Sequence, residues 1–418
     1  MEGAMVIGLQ AAQAGLQQGE ELLRRGRNAE AADLARRAVV ALPGEPRAHY
    51  LLGMALARQA AGRPDLRDEA ASAFQAVLDR APGHPGSLLH LGLLLAENGR
   101  EADSLPVLDS FLAGQPAHPR ARVARANALQ HLGRVADSLP DYEAALAQDP
   151  KLRAARSNYL LALLKARRVE PAMAQGRMLL DGHPGDIRAL ALYATAASAA
   201  GAADVYEHLV RPDDWPRAAT PFGEAGPERD ALHDQLIADI RNHPTFTREW
   251  DENRRAIRGG AVALDLLQSP TEAVLRFEAA IRAAVDGLID SLATDPADPW
   301  RFRRPKRYDF VMWGNILDGP SHQSSHIHNL GWLSGVYYVA IPDSIAAADP
   351  DHGGWIEFGR PGYGLPEDLV APEHYRLHLP EAGRAFFFPS HYWHGTRPYR
   401  GTGERVSIAY DVHVTEWQ

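Results

Sequence analysis

With 418 residues, 45% hydrophobic and 23% charged, the chain is long enough for about two or three globular domains, each with its own core, and its composition is neither disordered nor fibrous. The net charge of -9 argues against an overall electrostatic grip on nucleic acid, and the absence of cysteine excludes disulfides and thiolate metal sites, so any metal must be held by His, Asp or Glu. No basic leader precedes the first apolar residues and no apolar run reaches the roughly 18 residues of a membrane span, which predicts a cytoplasmic protein with neither membrane nor nucleic-acid partner.

The first half is periodic. Pro82, Pro116, Pro150 and Pro184 are evenly spaced, with 116-82, 150-116 and 184-150 all equal to 34. Gly99-Arg100 returns as Gly133-Arg134, and Ala-Asp-Ser-Leu-Pro at 102–106 returns unchanged at 136–140. A fixed period of this size marks a solenoid. Apolar residues run at helical spacing on both sides of the glycine turn, as in Leu88, Leu91, Leu94 and Leu95 before it and Leu105, Leu108 and Leu112 after it, so each unit reads helix, turn, helix. These units resemble the tetratricopeptide repeat family through Leu52-Gly53 and Leu91-Gly92 in the first helix, Ala102 and Ala136 opening the second, and the closing proline. The resemblance covers roughly residues 10–200. An earlier unit ends at Pro43, five positions further from Pro82 than the period allows, with the extra five expected in the turn around 62–68. The family's large aromatic in the first helix is mostly missing. The resemblance implies an all-α solenoid over 1–200 whose concave groove holds a peptide or protein partner; a structural extension or dimerisation arm is the alternative.

Beyond residue 200 the repeat fades, and the Pro- and Gly-rich stretch within 201–230 reads as a linker. In the remaining domain, 231–418, two helical stretches come first. The clearer spans 271–292, with Val274, Phe277, Ile281, Val285, Ile289 and Leu292 at helical spacing. The basic run RFRRPKR at 301–307 reads as a solvated edge beside a strand. Short β-rich runs then alternate with turns at 308–316, 333–341, 355–358, 375–379, 384–388 and 405–414. Several strands without helices between them suggest an antiparallel sandwich or small barrel, with a site at its mouth. The fold class is therefore an α+β multidomain chain, with a helical solenoid followed by a jelly roll and its flanking helices.

His326 and His328 stand at i and i+2 just before the strongest strand, where extended backbone aims both imidazoles the same way. His394 follows the apolar run AFFFPSHYW, far along the chain from His328, with most of the strands between them. Arg405 and Ser407 open the last strand as another i, i+2 pair, projecting a guanidinium and a hydroxyl suited to a carboxylate. Asn315, Gln323, Trp332 and Tyr338 flank this group in sequence. Tyr337 and Tyr338 point to opposite faces, so only one can enter the barrel. Gly335 either admits a close neighbour or eases a bend. His322, His352, His374, His378 and His391 lack comparable partners and read as structural.

The segment 308–414 resembles the 2-oxoglutarate- and iron(II)-dependent oxygenases with a double-stranded β-helix core, through HIHNLGWLSGVYYV, GGWIEFG, PEAGRAFFFPSHYWHGTRP and ERVSIAYDV. The resemblance implies a hydroxylase that consumes O2 and 2-oxoglutarate and acts on a peptide, protein or amino-acid-like substrate. His326 and His394 would ligate Fe(II), and Arg405 and Ser407 would hold the cosubstrate, with Asn315 and Tyr338 as further contacts. His328 stands where most relatives have Asp or Glu. Either His328 is the third ligand, or it turns away and leaves two histidines, as in relatives resembling aspartyl β-hydroxylase; Asp309, Glu357 and Asp411 are carboxylates that could replace it. A cupin-like metalloenzyme that does not use 2-oxoglutarate and a repeat adaptor with an inactive jelly roll are the rival readings.

Overall fold

The computed structural model describes residues 2–250 and 256–418. The chain divides into two compact units, Met1–Ala162 and Leu163–Gln418. The first contains α1 (Glu2–Arg24), α2 (Asn28–Ala41), α3 (Pro46–Ala57), α4 (Pro64–Leu78), α5 (Pro85–Glu97), α6 (Glu101–Gly114), α7 (Pro119–His131) and α8 (Val135–Gln148). Helix α9 (Arg153–Lys165) begins in this unit, and α10 (Val169–Gly182), α11 (Ile187–Ala199) and α12 (Ala203–Val210) belong to the second. Helices α5, α7, α9 and α11 begin at 85, 119, 153 and 187, repeating the interval of the prolines.

Local chemistry sets these boundaries. Proline, which lacks the N–H that a first turn cannot use, opens α5 and α7, and the preceding His84 and His118 accept from the backbone N–H of Ser87 and Ala121 at 3.1 and 3.3 Å. Gly99, Gly133 and Gly201 close first helices with φ of 72°, 75° and 66°. The equivalent position one period after Gly133 is Arg167, which keeps the left-handed turn at φ 55°. Glycine also lets helices approach: a Cβ on Gly92 would lie 2.6 Å from Leu108. The first unit's core, including Leu51, Phe74, Leu91, Leu95, Leu108 and Phe111, fills these contacts. The turn 58–63 has six residues where 98–100 and 132–134 have three, which takes up most of the longer period between Pro43 and Pro82.

In the second unit α12 is followed by β1 (Arg217–Ala219), α13 (Pro227–Asn242), β2 (Ile257–Arg258), β3 (Ala261–Ala263) and α14 (Glu272–Ser291). Then come β4 (Pro305–Asp318), β5 (His322–Gln323), β6 (Leu333–Ala340), β7 (Ile356–Phe358), β8 (Arg376–His378), β9 (Ala385–Pro389), β10 (His394–Thr396) and β11 (Glu404–Trp417). A six-stranded antiparallel sheet runs β1-β9-β6-β11-β4-β3, a second runs β10-β7-β8, and β2 pairs with β5. The segment expected as a linker thus carries α12 and the edge strand β1. Flanking cations of the 301–307 run pair with acids: Arg301 with Asp298, Arg304 with Asp290 and Lys306 with Glu416. No described helix is long and apolar enough to cross a membrane.

Strand β11 sits centrally, between β4 and β6, and the pairing matches Arg405 to Leu317, Ser407 to both Asn315 and Tyr338, Ala409 to Trp313 and Val336, and Asp411 to Ser334. With a side-chain period of two, all of these share one face. That face meets the smaller sheet, since the rings of Phe358 and Phe388 lie 5.0 Å apart and those of Phe388 and His394 4.5 Å. The other face is covered by α13 and α14: Tyr337 contacts Phe277 at 5.3 Å and its hydroxyl is 2.7 Å from His233 Nε2. Two packed sheets with outer helices are the expected jelly-roll arrangement. Gly335 leaves room for the Tyr410 ring across the strands, 2.4 Å from where a Cβ would stand. Gly335→Ala is expected to destabilise the protein by about 1–3 kcal/mol, measured by denaturant unfolding; a change below a few tenths of that would refute the close-approach reading.

Candidate functional site

His326 and His394 are joined by a two-way backbone bridge, His326 N–H to His394 C=O at 2.9 Å and the reverse at 3.0 Å, so residues far apart in sequence become cross-strand neighbours. His328 is tied similarly, donating its N–H to Ser390 C=O at 3.1 Å. The three rings then meet, with ligand atoms all within 4.8 Å of one another.

Each ring's far nitrogen is occupied. Nδ1 of His326 lies 2.9 Å from Ser324 C=O, that of His394 2.9 Å from Tyr392 C=O, and that of His328 2.5 Å from Asp411 Oδ1. All three partners accept, so each Nδ1 donates, which in a neutral ring leaves Nε2 as the acceptor. Nε2 of His326 and His328 are 3.1 Å apart, close to the separation of two ligands at right angles on bonds of about 2.1 Å. With both rings neutral, facing lone pairs at that distance repel unless a shared proton or a metal ion lies between them. Burial, assisted by His328, pushes His326 down to about 3, and burial with both neighbouring imidazoles pushes His394 well below its ordinary value. Both rings are thereby kept in the neutral form that binds metals.

On the same face, Arg405 is 1% exposed. Its guanidinium donates to Gly354 C=O at 2.7 Å and to Thr396 Oγ1 at 3.0 Å, while Nε has no partner. Among the described residues no carboxylate pairs with it; neighbouring Glu404 pairs outward with Arg241. The Tyr338 hydroxyl and Asn315 Nδ2 are likewise buried without partners. A small pocket joins Arg405, Ser407, Tyr338 and Trp313 to the three histidines. A buried, uncompensated cation with orphaned donors on the same sheet face is chemically suited to an anion.

The pocket adjoins an open cleft of about 940 Å³ whose lining includes Gln323, His326, Asn329, Tyr363 and Thr396. Glu357 lies there but is held by Arg360 at 2.6 Å and Arg397 at 2.8 Å, and Asp309 is exposed on its strand, so neither joins the histidine cluster. Asp411 stands behind His328. Trp332 is elsewhere, stacked on Trp300 at 4.7 Å. Thr396, Ser334 and Ser390 did not emerge from the sequence. A period-two reading from His394 and from Arg405 marks Thr396 and the inward side of Asp411.

The last helices of the repeat region hold the loop before His394. Trp393 Nε1 donates to Thr195 Oγ1 of α11 at 2.9 Å, and His391 Nε2 donates to Leu209 C=O of α12 at 3.0 Å.

A helical repeat region followed by a two-sheet domain with a histidine cluster defines the class of protein. The family model described as "Putative 2OG-Fe(II) oxygenase" matches residues 311–411, and the tetratricopeptide repeat model matches 16–66, 61–119 and 123–187. Residues 16–187 thus carry tetratricopeptide repeats, and residues 311–411 match the family described as "Putative 2OG-Fe(II) oxygenase". No curated protein matches it. Among solved structures, MamA from Desulfovibrio magneticus RS-1 is 20% identical with a TM-score of 0.38, covering 41% of this chain and 94% of that one. Pseudomonas aeruginosa pilF is 19% identical with a TM-score of 0.39, covering 48% and 89%.

His391, fully buried, is pushed down to about 4 by that burial. The unfolded chain takes up this proton near pH 6.5 and the folded protein only near 4, so stability is complete above about pH 6.5 and falls as pH drops toward 4. The loss is on the order of 3 kcal/mol from this ring. Denaturation midpoints between pH 4 and 7 should show a shallower slope for His391→Gln; an identical slope would contradict the assignment.

Proposed function

We propose that the second unit is an Fe(II)- and 2-oxoglutarate-dependent dioxygenase that hydroxylates a peptide, protein or amino-acid-like substrate. The observation that carries this is a buried Arg405 without a counter-ion in the same pocket as three imidazoles whose ligand nitrogens lie within 4.8 Å of one another. The donor set fits the cofactors: His326, His328 and His394 would hold iron, and Arg405, with Ser407, Tyr338 and Asn315, would receive the distal carboxylate of the oxoacid. Bound there, Fe(II), 2-oxoglutarate and O2 supply oxidising chemistry that places one oxygen atom on substrate and the other in succinate, with release of CO2.

The chain's own residues contribute the rest. Ser324 and Tyr392 carbonyls and the Asp411 carboxylate fix the rings' tautomers, which sets the direction of all three lone pairs. Arg405, held by Gly354 and Thr396, neutralises the cosubstrate without having to reorganise. Trp313, Phe388 and Ile356 line the pocket and exclude water. The adjoining cleft is large enough for a peptide segment, and His326 lines both spaces.

In the first unit a groove of about 630 Å³, lined by residues such as Leu93, Val123, Asn127, Lys151 and Arg153, supports a protein or peptide partner that the repeats grip away from the oxidised residue. Val123→Glu is then expected to raise KM for a protein substrate while leaving turnover of a short peptide unchanged; equal effects on both would remove the groove from recognition.

Adding Fe(II) and 2-oxoglutarate under anaerobic conditions should produce the weak visible band of the iron-oxoacid chelate. His394→Ala should abolish it with loss of iron. Arg405→Ala should retain iron and weaken 2-oxoglutarate about 10- to 100-fold, the equivalent of charge-assisted hydrogen bonds worth roughly 1.5–3 kcal/mol. No band in the unaltered protein would end the proposal.

A further inference from the structure

Three neutral imidazoles give a metal one negative charge less than two imidazoles and a carboxylate. We propose that Asp411 supplies the missing charge through His328, making this ring the strongest donor of the three and Asp411 a positioning residue for the metal. The inference rests on the iron-site reading above.

The three rings are not equivalent. His326 and His394 lean on neutral carbonyls at 2.9 Å, whereas His328 alone leans on a carboxylate, at 2.5 Å. Asp411 is 8% exposed, and among the described residues no Lys or Arg pairs with it. Its remaining neighbours are the Ser334 hydroxyl, which donates at 2.6 Å, and His413 Nε2 at 4.0 Å. A buried carboxylate needs an opposing charge, and an imidazole bound to a dication provides one.

The surroundings keep this carboxylate directed at His328. Ser334 Oγ also lies 2.7 Å from Ser390 Oγ, while Ser390 C=O accepts the backbone N–H of His328. Gly331 makes the room, since a Cβ there would stand 2.7 Å from Ser390 Oγ and 3.1 Å from Asp411 Cγ. Arg405 is on the same face of β11, yet it does not pair with Asp411. One strand therefore presents an unpaired cation to the pocket and an anion committed to His328 behind it.

Asp411→Asn keeps one oxygen to accept from His328 and Ser334 and removes the charge. Titration of the purified full-length protein with Co(II), followed by its visible absorption, is expected to show affinity lower by about 10- to 100-fold in this variant. Combining Asp411→Asn with His328→Asp moves the carboxylate onto the metal and should recover most of that loss. Equal Co(II) affinity for the wild type and Asp411→Asn would overturn the proposal and leave the iron site standing. If wild type and His394→Ala bind Co(II) alike, the iron-site reading itself fails. A measurement on the unaltered Zn(II)-loaded protein does not depend on the variant folding: the His328 Nδ1 proton should resonate well downfield of those of His326 and His394, and coincident shifts would overturn the charge assignment.

Discussion

Strand β11 is paired on both sides, to β4 and β6, and the alternation of its side chains is the constraint on which the site depends. One row, Arg405, Ser407, Ala409 and Asp411, faces the smaller sheet. The other, Val406, Ile408, Tyr410 and Val412, is buried on the helix-covered side. A slip of one residue would drive a guanidinium and a carboxylate into the apolar layer beneath α13 and α14, so double-sided pairing and the cost of buried charge enforce one register together. Because β6 follows the same register, Tyr338 enters the pocket and Tyr337 packs outward.

Charge is placed in this interior at a cost that the fold does not fully recover. Arg405 keeps neutral acceptors and an orphaned Nε, and Tyr338 and Asn315 leave further polar atoms without partners. These groups oppose stability unless a ligand satisfies them. Asp411 differs, because a histidine and a serine already engage it. The polar groups around Arg405 are thus unsatisfied, while those around Asp411 are satisfied.

The repeat region also contributes to the site. Helices α10 to α12 continue the helical period of the first unit but are part of the second, and α11 and α12 hold Trp393 and His391, one and three residues before His394. Arg167, at the turn position that glycine occupies in neighbouring repeats, makes a two-pronged surface contact with Asp368 at 2.8 and 2.9 Å. A side chain at a position where glycine would be easier is consistent with its use in such a contact, although an exposed pair of this kind adds little stability.

Much of this was readable beforehand because local rules sufficed. The constant repeat period, the glycine turns, helix 271–292 and the six main β-rich runs each depend on short local patterns, and their observed boundaries differ by only a few residues. His326, His394 and Arg405 stood out because their order around strands resembled a known site. By itself the sequence determined the helical pairs, the strand alternation and which residue types were available to a metal and an anion. Tertiary structure alone decided that Asp411 hydrogen-bonds His328, that Thr396 braces Arg405, that Trp332 stacks on Trp300, and that the last repeat helices join the second unit. Those outcomes depend on which distant strands and helices become neighbours, and pairing between segments so far apart in the chain leaves no periodic trace in it.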